Sequence, residues 1–287
     1  MKFALSERAQ NILGIGLLVM ILALFAAFLL WPEDDPFPPI IDVQMHYHQD
    51  AWHSFSPRAV IGVMKELDIL AAVVSSAPNE GSFKLSDEGF LRILPSLTPY
   101  RSLADRHEWF TDNSLIDMIG KELNSGRYHG IGEVHMLDGQ VRGPVVKYLL
   151  DEAVRRNMVI LTHTDANGLK QLMDLKPEAR VVWAHAGMTA KPYIVEGMLI
   201  RYENLMVELS HRTDLVDGDG KLKPEWRKLL IHYSKRFMVG SGTYNNSWWY
   251  EYRYIIRRIR KYLQQLPRDV AEDIGYRNAK QLYSITY

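Results

Sequence analysis

Ten histidines and no cysteine leave imidazole and carboxylate as the side chains that could hold a soft divalent metal, and they exclude disulfides, thiolate sites and a cysteine nucleophile. His46 and His48 lie two apart at the end of an apolar run. In an extended strand both would point to the same side. His163 closes NMVILTH, His185 closes ARVVWAH, and Glu133 lies near the end of YHGIGEVHM. Four imidazoles and one carboxylate converging from several strand ends form a donor set for one or two divalent ions. Zinc is the first expectation, with manganese or iron as alternatives.

The elements that must position these residues are readable as alternation. From Ile40 onward, short apolar runs recur between helix-like segments. The strands expected are Ile41–Val43 and its neighbours, Ile69–Ser76, a weaker RILPSLTPY interrupted by Pro95, Tyr128–Met136, Met158–His163, Val181–His185, Leu205–Ser210 and Phe237–Gly242. Ser56 and Pro57 open one helix as cap and first turn. Eight strand–helix units over residues 40–287 predict an α/β fold, a parallel (β/α)8 TIM-type barrel, whose active site lies at the carboxyl ends of the strands. Asn79–Tyr100 is the least regular stretch. Ser247–Leu263 interleaves aromatic and basic residues. It reads as an amphipathic outer helix, with an anionic-membrane surface as the alternative.

Thirty-four basic and 34 acidic residues balance, so no electrostatic footprint for nucleic acid is present, and a small molecule is the expected substrate partner. The amino terminus departs from the globular average. Asn11–Trp31 carries no charge, and about 20 residues at 1.5 Å rise cross a bilayer core of about 30 Å. Lys2 and Arg8 precede it, whereas Glu33, Asp34 and Asp35 follow. The positive-inside rule then keeps residues 1–10 in the cytoplasm and exports the rest. Residues 32–39 form a proline-rich acidic linker, extended and semi-rigid. The chain is thus expected to be a single-pass membrane protein with a periplasmic or extracellular barrel.

HYH at His46–His48, LTHT around His163, WAHAG around His185, GSGTY at Gly240–Tyr244 and the tail Leu266–Ser284 together resemble the amidohydrolase superfamily, in particular its amidohydrolase-related branch. The resemblance covers nearly all of the chain after Ile40. It implies that His46 and His48 hold the more buried metal. His163 and His185 would hold a second, or one of them would bind substrate. GIGEVHMLD at Gly130–Asp138 is similar to the strand-four segment of TatD-like hydrolases, which implies that Glu133 bridges two metals. An ion pair with His135 is the other reading of Glu133.

The sequence departs from the family at one point. Where the family carries the metal-binding aspartate that takes the proton from the attacking water, this chain has Gly242. Asp165, His211 and Asp214 are the candidate substitute bases. The functions that follow are a membrane-anchored metal-dependent hydrolase acting on an ester, lactone, amide or phosphoester; a catalytically degenerate barrel with a binding role; or a metal-dependent decarboxylase. The topology is directly testable. A reporter fused after Tyr287 that works only outside the cytoplasm should be active, and replacing Lys2 and Arg8 by acidic residues should weaken that preference. A reporter active only in the cytoplasm would refute the orientation.

Overall fold

A computed structural model describes residues 38–89, 91–137 and 139–286. The expected span Asn11–Trp31, the residues before it and the linker up to Phe37 lie outside the described residues, as does Asp138. Among the described residues no helix is long and apolar enough to cross a membrane.

Eight parallel strands follow one another in a single sheet: β1 Ile40–His46, β2 Ile69–Ser75, β3 Arg92–Leu97, β4 Gly130–His135, β5 Val159–His163, β6 Arg180–Trp183, β7 Leu205–Glu208 and β8 Phe237–Met238. Together they make a nearly closed barrel, as the alternation predicted. Strands buried on both faces read as continuous apolar runs, which is why most of them were visible. The irregular stretch resolves into a helix, Glu80–Ser86, followed by β3. Pro95 does not interrupt β3; it pairs with Val74, and its carbonyl accepts the His129 amide. The last three strands end earlier than expected.

Two apolar layers hold the barrel. The outer one lies between sheet and helices. The inner one gathers Ile41, Val43, Val73, Leu161 and Val182, with Ala279 and Tyr283 of the chain end joining it. The carboxyl-terminal segment therefore plugs the end of the barrel away from the histidines. Asn278 fixes it, its Nδ2 donating to the carbonyls of Ser234 and Phe237 at 2.7 and 2.8 Å.

The seam between the last and first strands is closed by single bonds. The Val43 amide donates to Val239 at 3.1 Å, and the Gly242 amide to Gln44 at 2.7 Å. Asp42 adds a side-chain clamp, accepting from the amides of Ser241 (2.9 Å) and Gln44 (3.2 Å) and from the Tyr252 hydroxyl (3.3 Å). Burial pushes the Asp42 carboxyl up from 3.8 to about 6, despite the opposing bonds from Ser241 and Gln44.

That shift has a signed consequence. Between the two values the folded carboxyl keeps its proton while the unfolded one loses it, so stability falls as pH rises. The native chain should lose about 3 kcal/mol relative to Asp42→Asn between pH 3 and 7 and stay level above, measured by chemical denaturation. A pH-independent difference between the two would show that Asp42 is ionised throughout.

Candidate metal centre

The site begins with two strands that break their own alternation. In β1, Ile41 and Val43 face the inner apolar layer, so strict period two would turn Gln44 and His46 away from it. The β1–β2 register shifts between Asp42 and Met45. As a result Gln44 and His46 also face inward, one layer higher. In β4 the register shifts between Ile131 and Val134, and Glu133 and His135 both reach the same mouth. Such irregularities re-aim side chains next to functional sites.

Glu133 is the hub. It is 4% exposed. Its Oε1 accepts from Gln44 Nε2 at 2.8 Å and faces His185 Nε2 at 3.0 Å and His163 Nδ1 at 3.3 Å. Its Oε2 faces His135 Nε2 at 3.1 Å and His46 Nε2 at 3.2 Å. Burial pushes this carboxyl up, but His135, then His163 and His185, outweigh it and hold Glu133 well below its usual range. The site contains a buried carboxylate faced by four imidazoles, that of His135 among them.

His185 indicates what the arrangement can take up. Its Nδ1 lies 3.2 Å from the Ser210 carbonyl and 2.8 Å from Ser210 Oγ. The carbonyl only accepts but the hydroxyl can also donate, so either nitrogen of the ring can carry the proton, and Nε2–H can donate to Glu133. Burial lowers the His185 pKa, and Glu133 and Glu208 raise it further, so that it ends above its ordinary value. Glu133, His163 and His185 each offer a ligand atom, all within 4.8 Å of one another. Holding the far nitrogen of a ligand imidazole on a carbonyl is also how metal sites orient histidine. The residues present therefore fit a divalent ion.

Behind His185 lies Glu208, wholly buried at the end of β7. Its Oε2 accepts the His185 amide at 3.1 Å and Ser210 Oγ at 2.9 Å, and its Oε1 accepts the Ser210 amide. Burial raises its pKa to about 7, against the opposing charge of His185. A β-carbon on Gly240 would meet Glu208 Oε1 and Gln44 Cβ at 2.7 Å, so the glycine is what lets these two groups approach. Backbone bends as well as side chains are arranged here: His185, Ala186, Met188 and His211 have φ of 55°, 45°, 62° and 58°.

Of the expected ligands, His46, Glu133, His163 and His185 meet. His48 stacks on His46 at 5.2 Å and lines the same cavity, but its Nδ1 is engaged elsewhere. It lies beyond β1, preceding the helix Gln49–Ser54, and its Nδ1 accepts the Ala77 amide at 2.9 Å. That leaves the proton on Nε2, and burial, then His46, lowers its pKa to about 3. A neutral ring with its lone pair already engaged is a poor ligand. The partner of His46 on β1 is Gln44. Asp165 is also outside: it is an exposed helix cap, accepting the Gly168 amide at 2.7 Å. Asp214 is taken by Arg212 in two bonds of 2.8 Å.

His211 does reach the site. Its Nε2 donates to the Gly242 carbonyl at 3.0 Å, and its ring stands 5.0 Å from His185 and 4.4 Å from Trp248. The carbonyl fixes the proton on Nε2 and leaves Nδ1 as acceptor. Burial, then His185, lowers its pKa to about 4. Gly242 has φ +65°, and a β-carbon there would overlap the His211 ring. An aspartate at this position could not reach the cluster without displacing His211. Around the cluster a cavity of about 570 Å³ opens, rimmed by Tyr100, Arg106, Met188 and Tyr244.

Gln44 and Glu208 were missed. Glu208 left a signal, a lone carboxylate in the apolar run NLMVEL. Gln44 left none, because its facing depends on the register shift.

No protein-family model matches the chain, and no curated protein matches it. Solved structures do resemble it. An Agrobacterium tumefaciens protein in its apo form has a TM-score of 0.59 at 16% identity, over 88% of this chain and 98% of its own. A probable 2-pyrone-4,6-dicarboxylic acid hydrolase from Acinetobacter baumannii with citric acid bound has 0.56 at 12%, over 86% and 99%. An amidohydrolase from Burkholderia multivorans with bound zinc has 0.56 at 13%, over 86% and 100%. At these identities the likeness shows the fold.

The fit between Gly242 and His211 can be tested by a double-mutant cycle. Gly242→Ala should lose roughly 1–2 kcal/mol to its left-handed backbone, with a further loss to the overlap. Combining it with His211→Ala should recover about 1 kcal/mol of coupling. Strictly additive losses would mean that the two residues do not touch.

Proposed function

We propose that the chain is a metal-dependent hydrolase of the amidohydrolase type. Glu133, His163 and His185 would hold the ion, with His46 beside them. The observation that carries the reading is the convergence of Glu133, His163 and His185, each offering a ligand atom within 4.8 Å of the others. A zinc-bearing amidohydrolase among the similar structures supports it. At such a site a divalent ion supplies Lewis acidity, making water acidic near neutrality and polarising a scissile carbonyl or phosphoryl bond.

The chain's own residues do the rest. Ser210 and Glu208 orient His185. Gln44 pins Glu133. His211 is neutral at pH 7 and offers Nδ1 as the proton acceptor, replacing the aspartate that Gly242 lacks. The cavity is of a size for a small ester, lactone, amide or phosphoester. Residues 11–31 are read as the tether that holds the barrel outside the cytoplasm. A binding-only barrel is the second reading, favoured by the missing carboxylate at Gly242.

The test uses the purified full chain. Mass spectrometry should find one or two divalent ions per chain. His163→Ala and His185→Ala should each weaken metal affinity by about 10–100-fold or more, whereas Asp165→Asn should keep both metal and activity. Chelation should abolish hydrolysis of activated esters or lactones, and zinc should restore it. A metal-free chain, or one whose metal survives both histidine changes, would refute the assignment. Metal without any turnover of esters, lactones, amides, phosphoesters or carboxylic acids would favour binding alone.

A further inference from the structure

A second cavity, of about 360 Å³, lies on the other side of His211. Its floor is the end of the barrel between β7 and β8, at Ser210 and Gly240. One wall is the loop that follows β7; the other is the helix Tyr252–Leu263. His211 lines both this chamber and the histidine chamber. It can serve as a partition because Gly242 leaves its ring room.

The lining is amphipathic. Leu215, Trp248, Ile255 and Ile259 supply an apolar body, and Arg258 and Lys261 stand at its edge. The other charged groups on the wall, Arg212 and Asp217, are held in contacts of their own, and Asp217 keeps its negative charge. Arg212 is matched by Asp214 at 2.8 Å. Asp217 Oδ1 accepts the amides of Asp219 and Lys221 at 2.9 and 3.0 Å, closing its own turn. Among the described residues neither Arg258 nor Lys261 has a carboxylate partner; Arg258 only faces the Tyr254 ring, at 5.7 Å. Two cations over an apolar pocket match a ligand with one anionic end and an apolar remainder.

We propose that this chamber is a second small-molecule site, for a carboxylate carried on an aryl or short acyl body, separated from the histidine chamber by the His211 ring. The proposal does not depend on hydrolysis or on a bound metal.

The experiment is calorimetry on the full chain in zwitterionic lipid nanodiscs, titrated with sodium 4-phenylbutyrate and, separately, with 4-phenylbutyramide. The acid should bind saturably, at millimolar concentration or below. Arg258→Gln with Lys261→Gln should weaken the acid by about tenfold and leave the neutral amide unchanged. Arg106→Gln, at the rim of the histidine chamber, should change neither. Non-saturable binding would overturn the proposal. So would equal loss of acid and amide in the double variant, or a loss of the acid in Arg106→Gln, which would place it in the other chamber.

Discussion

A buried carboxylate must have donors or positive charge beside it, and the upper half of this barrel is organised around that requirement. Removing one carboxylate from water costs several kcal/mol after relaxation, so Glu133 is tolerable only with donors or a cation on both oxygens. Gln44, His46, His135, His163 and His185 face it from β1, β4, β5 and the turn after β6. The same donor set, Glu133 with His163 and His185, is the one that could hold a divalent ion.

The frame and the site share bonds. Gln44 gives its carbonyl to the Gly242 amide across the seam while its side chain holds Glu133. Gly242 in turn gives its carbonyl to His211. The shortest strand, β8, is thus completed by groups that also position the chemistry. A change at Gly242 acts on barrel closure, on His211 and on the partition between two chambers at once.

Much of this was legible in the sequence. The apolar runs and their spacing specify parallel strands, and four of the five expected ligands do meet. The errors share a cause. Alternation places His48 beside His46, and the rings do stack at 5.2 Å, but past the end of the strand the His48 Nδ1 is turned to the Ala77 amide. Alternation also hides Gln44, because the shift between Asp42 and Met45 reverses which side it faces. His185 was expected on a strand; β6 stops at Trp183, and a left-handed bend carries the histidine to Glu133. Asp165 has the composition of a base and the local geometry of a cap. The recurrence of apolar runs between helices locates the barrel, and period-two reasoning about side-chain facing fails where the backbone is irregular, which is where the site is.

The left-handed residues around His185 and His211 bear on how this barrel responds to selection. Each such non-glycine conformation holds roughly 1–2 kcal/mol that the surrounding contacts must outweigh. Ala186 and Met188 are held this way without being donors in the cluster. A screen rewarding heat resistance alone would drift toward glycine at these two positions and relax the bend. The chain would melt later while the tilt of His185 loosened. Heat resistance and the placing of His185 are opposed along this segment, and a more durable variant is better sought in the outer helices than in the turn that follows β6.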